Sequence, residues 1–498
     1  MHEPTPSPPD SDLETPGLDP DDWDAFAASA HRALDAALAH MRSSGERSWR
    51  PLPTAARADI EGPLPRRPGD LDEVLGRVER SILPYPTGNA HRRFWGWVIG
   101  TGTADGMLAD MLAAAMNPHV AGYDQSATVV EAQVVRWLAE VMGYPDDASG
   151  LLVSGGTMAN LVGVAVARHH GAGFDVRSRG LAGGPPLRVY GSVETHSWVE
   201  KCCDVLGLGR DAVRRIAADA DGRIDLAALR AAILSDRRAG HRPLCVVGNA
   251  GTVDTGSIDD LEALADLCRE EDLWLHVDGA FGALAVLVPS LRPGLRGLER
   301  SDSVAFDLHK WGYLPYEIGC VLVRERGEQR ATFATEAAYL ESPGRGVQPE
   351  PLYLAELGIQ LSRGFRALKA WMALEVHGVE RIGRVIENNV MQAQHLVARI
   401  EADPCLELLA PAPLNVVCFR HRGGDPATPP DEASLEALNR EILLQLQERG
   451  IAVGSSTRRA GRFALRVAIT NHRSRRADID LFVDAILALG EELTSGGR

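Results

Sequence analysis

Four short stretches of the 498-residue sequence hold side chains that could share one piece of chemistry. They are Lys310 in "DLHKW", Asp278 closing "LWLHVD", His196 in "ETHSW", and the turn "SGGT" from Ser154 to Thr157. A lysine at the end of an apolar strand can add to a carbonyl carbon and form an imine, once its ammonium is made easier to deprotonate. A carboxylate at a buried strand end must find a cation or several donors, because burying it unpaired is costly. Glycines between a strand and a helix let the backbone approach a ligand, and the N–H groups of the helix start favour an anion. Thr157 adds a hydroxyl there, and the ring of His196 is flat enough to lie over a planar partner. Taken singly, each has a plainer use: "SGGT" as a tight turn, His196 as a helix cap or core residue, Asp278 as an N-cap, Lys310 as a surface loop residue.

Taken together, an anion cradle, a flat ring, a carboxylate and an imine-forming amine are the parts that pyridoxal 5′-phosphate (PLP) needs. Its phosphate needs the cradle, its aldehyde needs Lys310, and its pyridine nitrogen needs Asp278 in order to stay protonated. Unit charges 4 Å apart attract by roughly 1 kcal/mol in water and about 4 kcal/mol at an effective dielectric of 20. A carboxylate shielded on a buried strand can therefore hold that proton far better than one on a loop tip.

The elements that must position these residues alternate along the chain. Apolar runs "GLLVSGG", "LRVYGS", "PLCVVGNAG", "LWLHVDGA" and "SVAFDLH" are separated by amphipathic stretches such as "TMANLVGVAVARHH" and "IDDLEALADLCREED". This order predicts an α/β fold with a mostly parallel sheet and covering helices. Such sheets place ligands beyond the carboxyl ends of their strands. Residues 1–20 are Pro-rich and acidic and are expected to be disordered; residues 21–90 form an N-terminal helical segment. Residues 91–375 form the large ligand-binding domain, and residues 376–498 a smaller C-terminal α+β domain. The stretch from "RGFRALKAW" predicts one long helix broken or bent at Gly378, and another helix is expected from about Ser434 to Arg449. "HRGGDPATPPDEAS" reads as a surface loop.

Composition narrows the function classes. A net charge of -16 argues against a general nucleic-acid binder, which needs cations to replace released counterions. No apolar run approaches the roughly 18 residues of a membrane span, and the N-terminus lacks the marks of a signal peptide, so a soluble cytoplasmic protein is expected. Seven cysteines, odd in number and without metal-type spacing, are expected to be reduced structural thiols, and no metal site is expected.

With these residues in view, the chain resembles the group II PLP-dependent amino-acid decarboxylases, the family of the aromatic-L-amino-acid and glutamate decarboxylases. The resemblance rests on "VSGGTMANL", "ETHSWVEK", "GNAGTVDTGSIDDL", "HVDGAFG" and "DLHKW" in the family's order and spacing, and runs from about Asp21 to "FALRVAITNHRS". It implies fold type I, the aspartate-aminotransferase type, in a homodimer with active sites at the subunit interface. It implies that Lys310 carries PLP, Asp278 pairs with the pyridine nitrogen, and His196 stacks on the ring. Gly155, Gly156 and Thr157 would hold the phosphate, with His309 and Asp307 nearby, Thr252 beside the ring substituents and Ala280 behind the ring.

The resemblance also implies an amino-acid substrate, aromatic by preference, converted to its amine and CO2. Trp97, Val98 and Ile99 stand where the family builds its aromatic pocket, with His119 farther along; packing at the dimer interface is the other use for Trp97 and His119. The family's loop tyrosine, which returns a proton to the substrate carbon from the neighbouring subunit, falls opposite Leu354 by gapless counting, with Tyr353 one residue away. The Gly/Pro-rich segment "ESPGRGVQPEPLYLAELG" that carries it reads as a mobile loop. Two further readings follow: a related PLP reaction, either oxidative aldehyde formation or carbon–carbon lysis, and a catalytically silent dimeric partner.

Overall fold

A computed structural model describes residues 17–43, 47–335, 344–347, 353–424 and 430–495. Most of the segment expected to be disordered, part of the loop after His421 and part of the segment before Tyr353 lie outside these residues. The chain divides into two units, residues 1–43 with 51–86, and residues 44–50 with 87–498. The first contains the helices Trp23–Ser43, Thr54–Ile60 and Leu71–Arg77. Asp70 starts the last of these by accepting from Glu73 N at 3.0 Å, which satisfies an otherwise unbonded amide.

The second unit holds two sheets. Among the described residues the larger sheet has seven strands: β1 Ser149–Val153, β2 Leu187–Ser192, β3 Val213–Ile216, β4 Arg242–Asn249, β5 Trp274–Asp278, β6 Ser303–Asp307 and β7 Gly319–Val323. Their spatial order is β1-β7-β6-β5-β4-β2-β3. All neighbours are parallel except β7, which runs antiparallel to both β1 and β6. Its register sets Gly319 opposite both Val153 and Asp307, so the ends of β1 and β6 share one edge. Asn249 lies opposite Asp278 in the next pair, so the ends of β4 and β5 reach that edge as well.

The five apolar runs of the sequence are five of these strands; β3 and β7 are additional. β3 reads "VRRI", too short and too charged for a buried run, and charge is tolerated there because the strand is an edge. β7 lies within the long apolar stretch after Lys310, where periodicity does not show the reversal. Helices cover the sheet, and several start where the sequence supplies a cap: Asp225 accepts from Ala227 N and Ala228 N, and Asp260 accepts from Ala263 N.

The smaller sheet contains β8 Leu406–Leu408, β9 Val416–His421, β10 Ser455–Arg459 and β11 Arg462–Ala468, all antiparallel, in the order β10-β11-β9-β8. Phe419, Leu465 and Phe482 fill its core together with Trp95 and Leu396. The long helix Ala367–Ala402 leaves helical geometry at Gly378 (φ 65°, ψ 158°), the break expected there. The later helix spans Glu432–Glu448, two residues ahead of the expected start, because Asp431 provides its cap. All seven cysteines are free thiols. No described helix is long and apolar enough to cross a membrane.

Candidate active site

Parallel strands buried on both faces force their polar ends to be satisfied locally, and the carboxyl edge of the larger sheet is where this happens. Asp278 ends β5 and is buried. Its Oδ2 accepts from Trp198 Nε1 at 2.6 Å and its Oδ1 from Ala280 N at 3.1 Å. Two residues back, His276 is fully buried between Asn160 Oδ1 (2.7 Å from Nε2) and Ser303 Oγ (2.7 Å from Nδ1). Burial holds the His276 pKa down to about 4. It is therefore a neutral ring at pH 7 and does not compete as a cation for Asp278. The His276 ring meets Trp198 edge to face at 5.9 Å.

Lys310 lies in the turn after β6, with Nζ 3.0 Å from Asp307 Oδ2. Asp307 is buried, and its Oδ1 has no hydrogen-bond partner among the described residues. The glycines around it leave room for that carboxylate: a Cβ on Gly156 would stand 2.8 Å from Asp307 Oδ2, and one on Gly319 2.7 Å from Oδ1. A Cβ on Gly155 would meet His309 Cε1 at 3.0 Å. The "SGG" glycines thus serve packing against Asp307 and His309 as well as backbone approach from the cavity side. His309 is buried, hydrogen-bonded through Nδ1 to Ile318, and 4.3 Å from the Tyr316 ring. Burial, foremost, pushes its pKa down.

His196 follows β2. Its loop is tied down by Arg215, whose Nη1 donates to Ser192 O (2.8 Å) and Thr195 O (2.6 Å). His196 Nδ1 accepts from Trp198 N at 3.1 Å, and the residue is exposed. Desolvation lowers its pKa; Asp278 works against this and Lys310 adds to it.

Lys310, Asp278 and His196 converge on a single cavity of about 230 Å³, together with Gly156, Thr157, Thr252, Ala280 and Trp97. Thr252 Oγ1 is held by Ser257 N and Thr255 Oγ1, both at 3.1 Å. Gly155, Asp307 and His309 stand behind the lining. His119 is exposed, its ring 5.6 Å from Tyr123, and is not part of the lining. Tyr353 is half-buried at the start of the turn Leu354–Leu357 and is also outside the lining, while Leu354 is buried. The cavity adds residues that sequence reasoning missed: Trp198, Asn160, Asn249 and Phe281. Trp198 was within sight, two positions after His196, but an indole N–H has no pattern that announces its partner.

These groups fit PLP. The first amides of the helix Gly156–Gly171 have no partner within the helix and can take a phosphate. Lys310 offers the amine and Asp278 the buried carboxylate for the ring nitrogen. The residues 53–422 match the family described as the pyridoxal-dependent decarboxylase conserved domain. An aromatic-L-amino-acid decarboxylase of Bacillus atrophaeus is 34% identical over 86% of this chain and 88% of that protein. An L-2,4-diaminobutyrate decarboxylase of Rhizobium meliloti (strain 1021) is 31% identical over 86% of this chain and 84% of that protein. The crystal structure of Oryza sativa TDC with PLP and tryptamine superposes with a TM-score of 0.87 at 26% identity, covering 96% of this chain and 100% of that one. With its cofactor groups on one strand edge and the family's conserved domain spanning most of its length, the chain belongs to the pyridoxal-dependent decarboxylases, PLP enzymes of the carboxy-lyase class.

Proposed function

We propose that this enzyme removes the carboxylate of an aromatic L-amino acid to give the amine and CO2. The observation that carries the reading is the convergence of Lys310, Asp278 and His196 on one small cavity whose other walls include Trp97, Val98, Trp198, Val253 and Phe281, beside the uncharged polar Thr157, Asn160, Asn249 and Thr252. A charged substrate side chain would look for an unassigned ion partner, and the lining offers none among the described residues.

PLP, when bound, supplies the electron sink that makes loss of the carboxylate feasible. The protein's own residues do the rest. Asp307 orients Lys310 Nζ for attachment. Asp278, fixed by the Trp198 and Ala280 N–H groups, holds a proton at the pyridine nitrogen. His196, its charge disfavoured by desolvation, lines the same cavity and would offer its ring to the cofactor's ring and to the substrate carboxylate. Gly156 and Thr157 receive the phosphate, with Gly155, His309 and Asp307 behind them. The apolar walls exclude water and favour departure of a charged carboxylate as neutral CO2.

Tyr353 is the proposed proton donor to the substrate carbon, acting from a second subunit of a homodimer; His119 would reach the substrate by the same route. Leu354 of the helix-like turn is buried and has no proton to give. This favours one alternative: if Tyr353 does not serve, the substrate carbon is oxidised by dissolved dioxygen, which is reduced to peroxide, and hydrolysis then gives the aldehyde and ammonia alongside the CO2 already lost.

The test is to incubate the yellow holoenzyme with the common L-amino acids plus dihydroxyphenylalanine and 5-hydroxytryptophan, following CO2, amine, aldehyde and peroxide together. Amine from aromatic substrates only is the expected result; turnover confined to acidic or diamino substrates would refute the substrate class. Lys310→Ala should lose both the visible cofactor band and turnover, and a variant that kept them would remove Lys310 from its role.

A further inference from the structure

The smaller sheet reaches into the walls of the cavity. Arg466 on β11 is 3% exposed, yet its acceptors among the described residues are three carbonyls and one hydroxyl. Nε donates to Asp254 O at 3.3 Å, Nη1 to Trp97 O at 3.2 Å and to Ser455 Oγ at 3.1 Å, and Nη2 to Val253 O. Trp97 and Val253 both line the cavity. On the neighbouring strand, Thr457 Oγ1 donates to Asp254 Oδ1 at 2.8 Å. Arg459 Nη1 donates to both carboxylate oxygens of Glu194 at 2.8 Å, two residues before His196.

Burying a guanidinium is costly, and burial lowers the Arg466 pKa. Such a group persists where its donors do something that water cannot. Here they join two cavity loops that are far apart in sequence. Trp97 also needs holding: its backbone has φ 53°, a left-handed conformation that a bulky side chain adopts only when its surroundings impose it.

We infer that Arg466 is a positioning residue for the substrate side of the cavity, assisted by Thr457 and Arg459. The β10–β11 hairpin holds the Trp97 wall, the Val253–Asp254 wall and the loop of His196 in register with one another. The role toward substrate rests on the function proposed above; the clamp itself does not.

Hydrogen exchange of the apo-protein, read by mass spectrometry, tests the clamp without cofactor or turnover. In Arg466→Met, exchange of residues 95–99 and 251–255 should rise about 10-fold, as expected for loops losing their tethers, while β5 and β6 stay unchanged. In Arg459→Met the rise should be confined to the segment from Glu194 to His196. With PLP loaded, the amino-acid concentration that half-perturbs the visible band should rise about 10-fold in Arg466→Met, while PLP affinity moves less than about twofold. Unchanged exchange in both loops of a folded variant overturns the inference, and so does PLP affinity falling in step with amino-acid affinity. Should Arg466→Met not fold, Arg466→Lys keeps the charge but not the fork, and about a threefold change at the same two loops is expected. A wild type that takes up no PLP would sink the proposed function and leave the exchange result to judge the clamp.

Discussion

Asp278 is a carboxylate whose two oxygens are each held by one N–H group, with a neutral imidazole behind them. Its value to a pyridinium is the charge, so Asp278→Asn should cost roughly 4 kcal/mol, about a thousandfold in turnover, with PLP still bound through Lys310. Measured kcat within about tenfold of wild type would mean that the ring nitrogen is protonated by something else. His276 gives a pH prediction. Its folded pKa, about 4, lies below the ordinary 6.5, so the unfolded chain binds the extra proton and acid favours unfolding. This contribution is whole above about pH 6.5 and is lost as the pH falls toward 4. Urea unfolding of the apo-protein at pH 7 and pH 5 should show wild type losing about 2 kcal/mol more than His276→Asn. Equal losses would remove His276 as the titrating group.

Among the elements, the helix Gly156–Gly171 does two things at once. Its start faces the cavity, and its middle packs on the buried end of β5 and β6. A Cβ on Gly163 would lie 2.5 Å from His276 Cε1, so the helix can lie against the imidazole only through a glycine. Gly163→Ala should destabilise the protein by about 1–3 kcal/mol and weaken PLP binding by displacing His276 and, through it, Trp198. Thermal melts and a PLP titration check both; a stable variant with normal PLP affinity would show that the ring has room to move. The strands that carry Asp278 and the segment of Lys310 were legible as apolar runs. β7 was not, because an antiparallel return inside a buried sheet has the same apolar composition as its parallel neighbours.

At the scale of the whole molecule, the helix Ala104–Met116 leaves Leu108, Met111, Leu112 and Met116 between 38% and 52% exposed. A contiguous apolar face of this kind fits the proposed homodimer. Sedimentation at micromolar concentration should give twice the chain mass; a monomer with full turnover would contradict an interface active site. If Tyr353 acts across that interface, Lys310→Ala and Tyr353→Phe protomers, each defective in amine formation alone, should recover it when mixed and refolded together. Failure of the mixture to exceed its parents would place the proton donor within one chain.

Residue types and spacing were enough to name the cofactor and to propose a carboxylate, an amine and a cradle for it, because strand periodicity and turn glycines announce where a polar strand end must fall. They did not announce Trp198, His276 or Arg466. Those side chains act through partners 80, 116 and 369 residues away, at Asp278, Asn160 and Trp97. Such pairings exist only once the sheet order and the packing of the smaller sheet have brought distant segments to hydrogen-bond distance, and no local propensity encodes that.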